Sequence, residues 1–235
     1  MSLASDHIVQ AYDEELNALA AQLSEMGGLV ESMIKDSMKA VRKGDIALAK
    51  DVIARDHAVN KMQDEIDANA LRLLALRHPM ATDLRRVIGA IRAANDIERI
   101  GDLAEGIAKR ALTITISEAS DQASSIRRMG KLVKTQVKNA LDALLSENAE
   151  QAMQVWLADK DIDDLYASIF RELLTFMMQD HRNIQTCTSL LFVAKNLERI
   201  GDQATNISET VYFSVHGSSL ALEAAERHDD NDDDE

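Results

Sequence analysis

The chain has 235 residues, 46% of them hydrophobic and only 3% aromatic, with one proline and nine glycines. So few breakers among so much apolar material predict an all-α protein with one substantial core or two small ones, and essentially no sheet. Forty acids against 26 bases give a formal charge of −14, and no Lys/Arg patch with interleaved aromatics is present, which argues against direct nucleic-acid binding.

In chain order, apolar residues at helical spacing predict a first helix from about Val9 to Val41, ended by Lys43-Gly44. A second starts at Asp45, carries Val52, Val59, Met62, Ile66 and Leu73, and stops before His78-Pro79, because a proline disfavours helix at the residue preceding it. Thr82 or Asp83 caps a third running to about Leu112. The serine-rich stretch 117–125 reads as a joint. A fourth helix fills 126–145 and a fifth runs unbroken from about Ala149 to Gln179. The sixth spans about Ile184 to Val215 and ends at Gly217, a suitable C-cap. The result is six helices in two sets of three.

The string Glu-Arg-Ile-Gly-Asp occurs twice, at 98–102 and 198–202. Residues 94–108 match 194–208 at eight of fifteen positions. Upstream, Asp56-x-x-Val59-Asn60-x-Met62-x-x-x-Ile66 resembles Asp159-x-x-Ile162-Asp163-x-Leu165-x-x-x-Ile169. Similarity on this scale predicts a duplicated architecture, divided here into units 1–116 and 126–217, with the joint between them and a disordered acidic tail over 218–235. Six of the acids fall in the last seven residues, so the body is only moderately acidic.

At ~100° per residue, Ile97, Ile100, Ala104 and Ile107 form one stripe, while Glu98 and Asp102 lie together roughly 160° away from it. Outward acids usually just solvate a face. Here, however, both copies carry like charges four residues apart, which destabilise a helix by a few tenths of a kcal/mol, and a helix-interior glycine costing about 1 kcal/mol against alanine. That glycine either admits a neighbouring helix or leaves space beside bound ions. Arg99 and Arg199, three residues from Asp102 and Asp202, could neutralise them as ordinary helical ion pairs without any metal.

On the preceding helix of each unit, Asp56 with Asn60 and Asp159 with Asp163 sit to the side of the apolar stripe. Four oxygen-bearing side chains per unit can converge across a helix–helix groove: Asp56, Asn60, Glu98 and Asp102, then Asp159, Asp163, Glu198 and Asp202. Carboxylate ligation suits hard cations such as Mg²⁺, Mn²⁺ or iron, and favours zinc less. Asn60 brings a neutral carbonyl where Asp163 brings a charge, so the second site is expected to be the tighter one.

The enzymatic signatures are missing. None of the six histidines follows a glutamate at Glu-x-x-His spacing, and no phosphate-binding glycine loop or His-Glu-x-x-His is found. His57, His78 and His181 read as loop or surface residues, and no turnover is expected. Met62, Met153, Met177 and Met178 read as core filling. The lone Cys187 excludes an internal disulfide and reads as a buried, inert thiol. The N-terminus lacks a signal-peptide pattern and no stretch approaches the ~20 apolar residues of a membrane span. A cytoplasmic location follows, with membrane association only through partners.

The two repeated strings, with Gly106-Ile107-Ala108-Lys109 and Asn206-Ile207-Ser208-Glu209 downstream, the segment His78-Pro79-Met80-Ala81-Thr82-Asp83-Leu84-Arg85-Arg86 and the ending Val211-Tyr212-Phe213, resemble the paired signature of the PhoU family. The resemblance covers about Tyr12 to Gly217. It implies two similar three-helix bundles of long antiparallel helices, cytoplasmic and often homodimeric, that repress phosphate uptake and the phosphate-starvation response when phosphate is plentiful. The implied partners are the phosphate-sensing histidine kinase and the ATPase subunit of the phosphate ABC transporter. Family members can carry multinuclear metal clusters on E(D)-x-x-x-D motifs, which match the eight residues named above, with Asn60 departing from the acidic pattern. The competing reading is a helical scaffold or chaperone-like binder whose acids only keep it soluble.

Overall fold

The structure, a computed structural model, describes residues 2–114, 123–220 and 223. The described residues form helices and their connections, with no strand among them. They are α1 (Ser2–Lys43), α2 (Ile46–Arg77), α3 (Thr82–Ala111), α4 (Ala123–Ser146), α5 (Ala149–Leu157), α6 (Asp159–Gln179), a one-turn 3-10 helix (His181–Asn183) and α7 (Ile184–His216).

Local sequence sets most of the boundaries. Asp45 caps α2 by accepting the Leu48 N–H at 3.0 Å. At the other end His78 takes a left-handed conformation and returns its N–H to the Leu74 carbonyl, immediately before Pro79. Gly217, at φ 76°, closes α7 by donating to the Phe213 carbonyl at 2.8 Å, a backbone shape glycine adopts at little cost.

Four expectations are corrected. Neither Thr82 nor Asp83 caps α3: the cap is Ala81, without a side-chain bond, and the Thr82 hydroxyl instead accepts from Arg85 at 3.1 Å. The helix expected over 149–179 is two helices broken at Ala158, and α6 restarts with Asp159 and Asp161 in its first turn, where the helix dipole favours acids. Met178 is 80% exposed rather than core, although Met153 is buried as expected. Leu220, assigned by composition to the tail, is fully buried in a small cluster with Met153 and Tyr212. Of the expected joint, residues 123–125 belong to α4 and 117–122 lie outside the described residues, as do 221–222 and 224–235 of the tail.

One continuous apolar core runs through both units, from Leu19 and Val30 on α1 to Ile200 and Val211 on α7. Its centre is α3 packed against α7, the most extensive helix pair, with α1 and α2 closing around α3 and with α4, α5 and α6 around α7. Facing residues show how the two helices run. Asp96 shares a cavity lining with Asn206, a Cβ at Gly106 would lie 2.7 Å from Asn196 Nδ2, and Arg110 stacks over Phe192. Residue numbers thus rise on one helix as they fall on the other, so the pair is antiparallel and pseudo-symmetric about the level of Gly101 and Gly201. Cys187 is buried in this core, and burial raises its thiol pKa, as expected of an unreactive group.

Because the core is shared, the units should unfold together. Ile100→Ala, in the first unit, is expected to cost about 2–5 kcal/mol and to lower the urea midpoint read by circular dichroism and by fluorescence of Trp156, in the second unit, by the same amount. A Trp156 transition that stays in place would show the units to be independent.

Candidate metal centres on paired helices

The acids of the two repeated strings lie at the margins of helix–helix grooves. α3 meets α1, α2 and α7 and is buried on most sides, so Glu98 and Asp102 occupy its one open face, bordered by α2. α7 places Glu198 and Asp202 against α6 in the same way. The outward orientation predicted from helical angles holds, with Glu98, Glu198 and Asp202 half-buried and Asp102 exposed.

In the second unit the structure brings three of the four expected residues together. Oxygens of Asp163, Glu198 and Asp202 all lie within 4.8 Å of one another. Asp159 stands beside them, held by a 3.1 Å hydrogen bond donated by Gln136 Nε2. Burial, reinforced by the charges of Glu198, Asp159 and Asp163, pushes the Asp202 carboxyl up to about 6. Burial, with Asp159 and Glu198 adding to it, raises Asp163 as well. One cation, Lys195, works against this by pairing with Glu198 at 2.5 Å.

In the first unit Asp56 and Asn60 on α2 face Glu98 and Asp102 on α3. Asn60 Nδ2 donates to Asp56 Oδ2 at 3.4 Å, while Asp56 Oδ1 and Asn60 Oδ1 are buried without a hydrogen-bond partner. Burial and the charge of Asp102 raise both Asp56 and Glu98. Asp56, Glu98 and Asp102 do not gather as tightly as the second trio, in keeping with the asparagine in this copy.

The glycine of each string has a packing role. A Cβ at Gly101 would stand 3.2 Å from Val59 Cγ1 and 3.6 Å from Asp56 Oδ1. At Gly201 it would stand 3.1 Å from Gln136 Oε1 and 3.4 Å from Asp159 Oδ1. The missing side chain admits the neighbouring helix together with that helix's own acid. The expected ion pairs Arg99–Asp102 and Arg199–Asp202 are not formed among the described residues. Arg99 acts electrostatically on Asp96 and Glu98 instead.

Three participants escaped sequence reasoning. Gln136 comes from α4, which carries no repeated string. Lys195, three residues before Glu198, was visible as a helical ion pair, but its counterpart Asn95 is neutral, so the repeat gave no cue. Asp96 is buried at the α3–α7 contact in a cavity of about 460 Å³ that also takes in Arg92, Asn206 and Glu209. Burial pushes its carboxyl to about 6, against the pull of Arg99, Asn206 and Arg92.

The donor set fits a cation. Oxygen atoms converge in each cluster, burial and neighbouring acids raise Asp163 and Asp202 in the second and Asp56 and Glu98 in the first, and two buried oxygens of the first cluster have no hydrogen-bond partner. No helix among the described residues is long and apolar enough to cross a membrane.

Fold and site together define an all-α, internally duplicated protein carrying paired carboxylate clusters. The PhoU domain model matches residues 23–111 and 126–211, and the chain belongs to the PhoU family. It is 47% identical to the phosphate-specific transport system accessory protein PhoU homolog of Caulobacter vibrioides, over 92% of this chain and 94% of that one. It superposes on the crystal structure of PhoU from Pseudomonas aeruginosa with a TM-score of 0.85 at 38% identity, covering 88% of this chain and all of that one. For the phosphate transport system regulatory protein PhoU from Streptococcus pneumoniae the TM-score is 0.82 at 32% identity, with coverage of 88% and 98%. The family is one of accessory proteins and not of enzymes.

The raised carboxyl of Asp202 has a consequence for stability. Its folded pKa of about 6 exceeds the ordinary 3.8, so the native state binds the proton more tightly than the unfolded chain. The penalty is complete above pH ~6 and is relieved as pH falls from there towards ~4. In chelator-treated protein the urea midpoint should therefore rise between about pH 8 and pH 5, and Asp202→Asn should show a smaller rise. An equal rise in wild type and variant would assign the effect to other groups.

Proposed function

We propose that the chain is a cytoplasmic negative regulator of phosphate uptake and of the phosphate-starvation response, acting by contact as an adaptor. The observation that carries this reading is near full-length similarity to proteins named as phosphate-specific transport system accessory proteins, over both repeats. Its partners are the sensor histidine kinase of the phosphate response and the ATPase subunit of the phosphate ABC transporter. It works as a homodimer, meets the membrane only through those partners, and does not bind nucleic acid.

The metal part of the proposal rests on the two clusters. Asp163, Glu198 and Asp202, with Asp159 beside them, would hold a hard cation such as Mg²⁺, Mn²⁺ or iron, and Asp56, Asn60, Glu98 and Asp102 a weaker one. When bound, such an ion supplies the positive charge these groups lack. The protein's own contribution is to hold α6 against α7 through Gly201 and to keep Asp159 oriented through Gln136, so that the acids are gathered before any ion arrives. Ligand type makes zinc the less favoured ion.

Deleting the gene should derepress a phosphate-starvation promoter in phosphate-rich medium, and an unchanged promoter would contradict the regulatory reading. Metal analysis of protein purified without chelator separates the metal component. Wild type should carry on the order of one ion per chain and Glu198→Ala/Asp202→Ala much less. Less than about a tenth of an ion in wild type, with regulation intact in the double variant, would leave a metal-independent helical scaffold.

A further inference from the structure

A second charged feature lies away from the acidic clusters, where α1 crosses α4. The two helices touch closely at two points: a Cβ at Gly27 would lie 3.0 Å from Leu141 Cδ1, and one at Gly130 would lie 2.8 Å from Met38 Cε. The same offset of 103 residues links Gly27 to Gly130 and Met38 to Leu141, so this crossing is also pseudo-symmetric and antiparallel. Beside the Gly130–Met38 contact opens a groove of about 290 Å³, floored by Ile34, Met38, Ile126 and Leu190. Its walls are two stripes of cations at i, i+4 and i+7: Lys35, Lys39 and Arg42 on α1, and Arg127, Lys131 and Lys134 on α4. Among the described residues none of the six has an ion-pair partner, whereas Lys138, on the same α4, is paired with Asp142.

Six cations on one face of a chain of charge −14 repel one another, and no acid among the described residues is paired with any of them. Nor does the groove follow from the duplication. The pseudo-symmetric positions are Ser24, Gly28, Glu31, Lys138, Asp142 and Leu145, where Lys138 is neutralised by Asp142 and lies within the field of Glu31. The basic groove is therefore particular to one end of the crossing, and its sign identifies the missing partner as acidic. Its shape narrows the partner further. A flat anionic bilayer would meet the cationic rim and leave the apolar floor uncovered, and a nucleic-acid backbone has no apolar ridge to place there. A helix with an apolar ridge and acidic flanks satisfies both floor and walls. Each cationic stripe extends ~10 Å along its axis, about two turns of such a helix, and the flexible Met38 side chain adapts the floor to different ridges.

We propose that the α1–α4 groove is the docking site for an acidic amphipathic helix of a partner protein. The assignment does not rest on the metal clusters, which lie on the α2–α3 and α6–α7 grooves.

The test uses the full chain and a fluorescein-labelled helical peptide of about 14 residues, with leucines at i, i+3, i+4 and i+7 and glutamates flanking them, read by fluorescence anisotropy. Lys35→Glu/Lys39→Glu and, separately, Arg127→Glu/Lys131→Glu should each weaken binding about tenfold or more. Lys35→Arg/Lys39→Arg should restore it, Lys50→Glu on α2 should leave it unchanged, and added salt should weaken it in wild type. Thermal melts confirm that each variant is folded. The proposal is overturned if the peptide does not bind, or binds the charge-reversed chains equally well. It is also overturned if phosphatidylglycerol vesicles or duplex DNA show the charge sensitivity while the peptide does not, or if the peptide binds only after residues 229–235 are removed, which would make the chain's own tail the occupant.

Discussion

The antiparallel pairing of α3 with α7 is the contact on which the other features depend. It joins the two repeats through one apolar core, and it puts both repeated strings at the middle of the molecule, each with one open face left for acids. The glycines of the strings then let α2 and α6 approach on that face and bring the remaining oxygen-bearing side chains. A single-residue helix defect costing about 1 kcal/mol, present in both copies, is thereby explained by the close packing it allows. Asp96 and Asn206 mark the register of the pair on one side of its centre, and Gly106 with Asn196 does so on the other.

Much of this was legible in the residues alone. Helical periodicity, the stop at His78-Pro79, the cap at Gly217 and the duplicated strings placed the main helices and the outward acids. These are local signals, and the structure follows them closely. What escaped were features set by contacts between distant segments. The break at Ala158 has no proline or glycine to announce it. The basic groove is divided between α1 and α4, so no run in the sequence displays it. The Arg99–Asp102 pair failed because spacing of three permits contact but does not decide which of several acids the guanidinium serves. Met178 fits the helical pattern, yet among the described residues its side of α6 is left exposed.

Charge on this protein is segregated by function rather than spread evenly. Acids are concentrated where paired helices partly bury them against one another, and burial first, then mutual repulsion, raises Asp202, Asp163, Asp56 and Glu98. Cations are concentrated where an apolar groove awaits a partner. Both arrangements are costly in isolation and would become favourable with an opposite charge, a cation at the proposed metal centres and an acidic helix at the proposed groove. Such a surface suits an accessory protein of a phosphate transport system.

The proposed metal centres predict that a bound cation would hold α6 to α7 through acids already gathered by the fold. Hydrogen exchange of the chelator-treated chain, with and without added Mn²⁺, tests it most directly. Exchange should slow at residues 159–163 and 198–202, with a smaller effect at 56–60 and 98–102, and Asp202→Asn should abolish the response in the second unit. Unchanged exchange at 159–163 and 198–202, or protection confined to other segments, would contradict it.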